Sequence, residues 1–163
     1  MGEFQEMYRT IKLTREVLFE YCASLPLEVY IAEHPGVSHG SIRNTHLHVA
    51  NNYHGWIGHF ALSEDDNVVS FTSLKPRDYS NLEAVRAAFA AVDAMVEEFL
   101  TRYSQTMMST LRRRVSWMPE PFSATPLWIF TDLITHEFHH KGQIVIFGRD
   151  AGYPPPQTDL ILP

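Results

Sequence analysis

The chain carries a single cysteine, Cys22, in 163 residues, which excludes an intramolecular disulfide and any zinc site built from several thiolates. Cys22 falls among apolar residues at helical spacing, so it reads as a buried, inert thiol rather than a nucleophile. Long hydrophobic runs are missing too. No stretch approaches the ~20 apolar residues of a membrane span, and no basic segment followed by an apolar one marks the N-terminus; the expected location is cytoplasmic, with no membrane partner. Positive charge is scarce: 13 Lys and Arg against 19 Asp and Glu give a formal net charge of −6. The one basic run, Arg112-Arg113-Arg114, lacks interleaved aromatics, so nucleic acid is not an expected partner. Repeats and low-complexity tracts are absent as well. What is present is 45% hydrophobic residues, enough for one core in a chain too short to divide comfortably. One domain over residues 1–163 is expected.

Four segments have helical periodicity. Phe4, Met7, Tyr8, Ile11, Leu18 and Tyr21 predict a helix over about 4–23, closed by Pro26. A second begins near Ser41 and runs to about Leu62, with Ile42, Val49, Tyr53, Trp56 and Phe60 on one face. In the third, Ser80 and Glu83 have the spacing of a capping box, and Leu82, Val85, Phe89, Val92, Val96, Phe99 and Tyr103 form a seam for lengthwise packing. The fourth starts with Thr125 as N-cap and Pro126 at the first helical position and ends near Gly152. Its apolar residues lie on most sides, which predicts burial on more than one face, at a bundle centre or against a second subunit. The segments 68–74 and 113–119 are candidates for a small hairpin. The expected architecture is all-α, a four-helix bundle, a fold whose interior commonly builds metal sites from facing side chains.

Histidine is abundant, with nine in the chain. His136 and His140 stand at i and i+4 within a stripe through Ile129, Leu133, Gln143 and Phe147, so both imidazoles point the same way, one turn apart. Inward-facing imidazoles must be hydrogen-bonded or metal-bound, because an unpaired buried polar group costs about 1–3 kcal/mol. This is half of a metal site. His34 and His39 fall in the loop before the second helix and read as solvated. Among His46, His48, His54 and His59, periodicity favours His46 as a further ligand, while His48 lies at the polar margin of that face with Asn52; spacing leaves the choice open.

His136-Glu137-Phe138-His139-His140 also satisfies the His-Glu-x-x-His pattern of zinc metallopeptidases, where the Glu activates water. The downstream third ligand of those enzymes is missing. No Glu follows Glu137, and Ile146 stands where a final His would be. Glu137 points about 100° away from its neighbours on the helix, so a salt bridge or a contact behind a ligand is the expected role rather than a general base. Asn52, Tyr53, His139 and Gln143 are candidates to orient ligands or meet substrate, and Tyr53 and Trp56 read as core.

Ser41-Ile42 followed by His48-Val49-Ala50-Asn51-Asn52-Tyr53 and Trp56 resembles the second-helix motif of the DinB/YfiT-like metalloenzymes. The segment His136-x-x-x-His140-Lys141-Gly142-Gln143 resembles that family's C-terminal motif, and Gly152-Tyr153-Pro154-Pro155 with Thr158-Asp159-Leu160 is similar to its ending. The resemblance implies a four-helix bundle, a divalent metal held by His48, His136 and His140, and frequently a homodimer. It selects His48 over His46. Three neutral imidazoles with open positions suit zinc, nickel or iron, zinc being the first choice on prevalence. An open position lets a bound water or thiol become acidic. Thiol-dependent transferases and isomerases in this wider group suggest a low-molecular-weight thiol cosubstrate with a small-molecule substrate. The expectation is therefore a metal-dependent S-transferase or hydrolase; the second class is a non-enzymatic metal-binding stress-response protein.

Overall fold

The computed structural model describes residues 2–35, 39–63 and 72–160. Helix α1 spans Glu3–Ala23, followed by a single short turn of helix, α2, over Leu27–Ile31. Helix α3 runs Ile42–Tyr53 and continues without a break as a π-helix over His54–Ala61. After a 3-10 turn at Pro76–Asp78 come α4, Leu82–Arg102, and α5, Pro126–Asp150. Between α4 and α5, β1 (Leu111–Arg113) pairs antiparallel with β2 (Phe122–Ala124), Leu111 opposite Ala124.

Local chemistry sets most of these boundaries. The Ser41 hydroxyl accepts from the Asn44 N–H at 3.1 Å and the Thr125 hydroxyl from the Trp128 N–H at 3.1 Å, so both expected N-caps are made. The capping box at Ser80 is not. Asn81 caps α4 instead, its side chain accepting from the Ala84 N–H at 3.0 Å, and an Asx residue one position later serves equally well. At the end of α5, Gly152 adopts φ of +93°, while the Tyr153 and Gly152 N–H groups reach back to the Gly148 and Arg149 carbonyls. Those reverse bonds need a left-handed residue, which glycine adopts at no steric cost.

Two expectations need correction. The hairpin forms from Leu111–Arg113 and Phe122–Ala124, with 114–119 in the connection rather than a strand; residues 68–71 lie outside the described residues. The second helix is not α-helical to its end. The Leu62 N–H bonds to the Ile57 carbonyl at 2.8 Å, five residues back, and this wider winding rotates the buried stripe. Ile57 becomes fully buried, and Trp56 moves to the half-buried edge of the face.

The four long helices enclose one main core. Tyr8, Ile11 and Phe19 of α1, Leu47, Val49 and Tyr53 of α3, Val85 to Leu100 of α4, and Ile129, Phe130 and Leu133 of α5 pack together. A smaller cluster at one end joins Leu18 and Cys22 to Tyr30, Ile42, Ile144 and Phe147. Gly148 allows α1 to approach α5 there, since a Cβ at that position would collide with the Tyr21 hydroxyl, which donates to the Tyr153 carbonyl. Across the bundle middle lies a buried polar network: Arg15 of α1 pairs with Glu137 of α5 at 2.7 Å and with Asp93 of α4 at 2.6 Å. The Tyr53 hydroxyl donates to Glu137 at 2.6 Å, and that of Tyr8 to Asp93 at 2.6 Å. This network ties all four long helices at one level.

Candidate metal centre

Helices α3 and α5 pack side by side and bring three imidazoles to one point. His48 Nε2 lies 3.0 Å from His136 Nε2, and His140 Nε2 lies 3.1 Å from the same atom. Metal–nitrogen bonds of about 2.0–2.1 Å place neighbouring donors roughly 2.9–3.4 Å apart, between right-angled and tetrahedral arrangements, so these separations suit a shared cation. His39 joins them from the loop before α3. Its ring stacks on that of His48 with centroids 3.8 Å apart, and the ligand nitrogens of His39, His48 and His140 lie within 4.8 Å of one another. That group is able to hold a metal ion.

Proton bookkeeping favours a cation over hydrogen bonds. Gln143 Oε1 lies 2.8 Å from His140 Nδ1; a carbonyl oxygen only accepts, so Nδ1 carries the proton and Nε2 presents a bare lone pair. His136 Nε2 then faces that lone pair on one side and His48 Nε2 on the other. One proton at most is shared across the two contacts, whereas a cation satisfies all three nitrogens. Ligation requires neutral rings, and burial, reinforced by the neighbouring imidazoles, favours that form: it lowers the pKa of His48 and of His136 to about 4 and lowers that of His140.

The surrounding residues hold this geometry. Gln143 sits one turn beyond His140, and its Nε2 also reaches His139 Nε2 at 3.1 Å. Glu137 faces away from the imidazoles into the Arg15 network, the salt bridge expected of it, and Tyr53 is buried as expected. Lys141 donates to the Thr158 carbonyl, which ties the C-terminal segment back against α5.

Three sequence readings of histidines change. His39 is half-buried against His48, not solvated. His34 is half-buried and stacks on Phe147 with centroids 5.1 Å apart. His46, the choice of periodicity alone, lies in the core between Phe19 and Tyr30, its Nδ1 3.3 Å from the Tyr30 hydroxyl, and burial lowers its pKa to about 3. No local pattern marks His39. Its position follows only from the path of the loop.

Two cavities flank His48. One, about 430 Å³, opens on the His39 side toward Glu33, Asn44 and Asn51. The other, about 250 Å³, is lined by His48, Asn51, Asn52, Gly55, Trp56 and Trp117, so Trp56 is part of a pocket wall and not only of the core. A larger cavity of about 490 Å³ lies away from the histidines beside Cys22, Tyr30 and Arg86. It holds no activated nucleophile, because burial pushes the Cys22 thiol up to about 12.

No helix among the described residues is long and apolar enough to cross a membrane. A search of curated proteins finds no match to the chain. The model of the DinB family, however, matches residues 1–162, and with a mostly helical fold whose histidines meet between the second and last long helices, the chain belongs to the DinB family.

Proposed function

We propose that His48, His136 and His140 hold one divalent metal ion, zinc before nickel or iron, at the centre of a metal-dependent enzyme acting on a small molecule. The observation that carries this reading is the meeting of three Nε2 atoms at separations that protons cannot fully satisfy. A divalent cation bound there would act as a Lewis acid, lowering the pKa of a water or thiol brought to it. The protein side of that chemistry is visible in its residues. Gln143 accepts from His140 Nδ1 and so presents the His140 Nε2, and the cavity beside His48 gives a small molecule access to that imidazole.

The resemblance to thiol-dependent relatives and the missing peptidase ligand support an S-transferase over a hydrolase. Cys22 is buried and protonated, so the thiol is a low-molecular-weight cosubstrate, and the cavity on the His39 side offers it room. A cytoplasmic location suits a reduced thiol cosubstrate. A homodimer completes the proposal; its support is the family resemblance and the exposure of Trp128 and Ile146 on α5, and sedimentation showing only monomer at micromolar concentration would remove it.

His39 supports a second reading. If its imidazole closes the coordination shell, four histidines leave no position for substrate, and the protein is a metal-binding stress-response protein without catalysis. Cobalt substitution separates the two. Under the enzyme reading, low-molecular-weight thiols produce sulfur-to-cobalt charge-transfer bands, His140→Ala abolishes them, and turnover of an electrophile requires both metal and thiol. A spectrum indifferent to thiols with metal-dependent ester or amide cleavage would favour the hydrolase; no response of either kind would favour the non-catalytic protein.

A further inference from the structure

The cavity on the tryptophan side of His48 has features that specify its occupant. Its walls are the half-buried Trp56, at the start of the π-helix, and Trp117, in the connection between the two strands, with ring centroids 6.2 Å apart and planes at 84°. Trp56 is held from behind by Phe122 at 5.2 Å and Trp128 at 5.5 Å, so this wall is pre-set by packing. No lining residue is charged. The Asn51 amide is engaged with the Leu74 backbone, accepting at 2.7 Å and donating at 3.2 Å. The half-buried Asn52 amide has no hydrogen bond among the described residues, so it is a polar group available to the space beside His48.

Gly55 forms the remaining surface. Its φ is not in the left-handed region, and a Cβ there would meet nothing nearer than the Trp117 ring at 3.9 Å, an ordinary contact. Neither backbone conformation nor close packing demands glycine, although glycine within a helix is less stable than alanine by about 0.5–1 kcal/mol. What the missing side chain leaves is volume beside the Trp117 ring, on the same helix as His48 and Trp56. A dry cavity of roughly 150 Å³ already accepts benzene, so about 250 Å³ accommodates one ring with a short polar substituent.

We propose that the cavity bounded by His48, Asn52, Gly55, Trp56 and Trp117 is the substrate pocket of the histidine centre, and that it takes an uncharged molecule presenting one planar ring to the tryptophans and a hydrogen-bonding group to Asn52. The functional part of this inference rests on the metal-centre reading; the binding part does not. Each tryptophan contributes one indole N–H signal, and the chain has only three, so ¹⁵N-correlated NMR reads the pocket directly.

The zinc-loaded protein is titrated with benzamide, with acetamide as the ringless control and benzylamine as the cationic one. Benzamide is expected to shift the Trp56 and Trp117 indole signals saturably, at least tenfold more tightly than either control. Gly55→Leu, which fills the pocket, should weaken benzamide binding tenfold or more while metal content stays at the wild-type level. Trp117→Ala, at a position 39% exposed and therefore tolerant of truncation, should do the same through the Trp56 signal if Gly55→Leu fails to fold. Equal response to acetamide or benzylamine, or benzamide binding that survives the folded variants, overturns the proposal. A protein that takes up no metal but gives the benzamide shifts would end the metal-centre reading and keep the pocket. A metal-loaded protein whose indoles ignore benzamide would end the pocket and keep the centre.

Discussion

His140 and Gln143 illustrate what single residues contribute to this site. A histidine ligates through one nitrogen, and the hydrogen bond at the other decides which one is available. Gln143 accepts from Nδ1, leaving Nε2 for the shared point. Gln143→Leu keeps the bulk and removes the acceptor, so metal affinity should fall about 10- to 100-fold, measured by competition with a chromophoric chelator; unchanged affinity would mean that the tautomer is set elsewhere. The His136–His140 pair was legible in the sequence because helical spacing alone aligns the two rings. The position of His48 was not legible from spacing. Periodicity points to the most buried position, and that is His46, wedged against Phe19 and Tyr30. His48 sits at the margin of the buried face, from where it reaches His136 on the neighbouring helix, and only the motif resemblance singled it out. His39 lacked any signal of either kind.

At the scale of elements, α5 carries both the histidine pair and Glu137, which face different neighbours. His136 and His140 meet α3, while Glu137 joins Arg15 of α1 and Tyr53 of α3. The register of α5 against its partners is therefore pinned by a buried charge network on the turn that bears the two histidines. Arg15→Ala would leave the Glu137 carboxylate buried without its cation, at a cost of about 3–5 kcal/mol. Urea unfolding of the metal-free variant should show a correspondingly lower midpoint, and an unchanged midpoint would contradict the account. Helix ends at Ser41, Thr125 and Gly152 were legible because their chemistry is local. The π-helix over His54–Ala61 was not, since the apolar spacing through Trp56 and Phe60 reads as ordinary helix, and Trp56 both packs against the core and lines a pocket.

At the scale of the molecule, the core runs through all four long helices without involving the histidine centre. The fold should then outlast the metal. Chelation is expected to lower stability by the mass-action term alone, about 2.7 kcal/mol at a free-metal concentration a hundred times Kd, with the helical circular dichroism retained; a largely unfolded chelated sample would recast the metal as a structural staple. The bundle class was legible because four amphipathic segments in one short chain have few other ways to bury their faces. The apolar sides of α5 suggested an external partner, yet Leu127, Ile134, Phe138 and Val145 are partly covered within the chain, leaving Trp128 and Ile146 as its large exposed residues.

The central claim is that three particular imidazoles share one cation, and metal content measured on a series of single variants tests it most directly. Elemental analysis of the purified protein should give one divalent metal per chain. His48→Ala, His136→Ala and His140→Ala should each lose most of it after dialysis against a weak chelator, and His46→Ala should retain it. His39→Ala should keep full stoichiometry, since His39 lies outside the three-imidazole ligand set. Full metal in His136→Ala with loss in His39→Ala would instead assign the ion to His39, His48 and His140, and full metal in all of these variants would contradict the account.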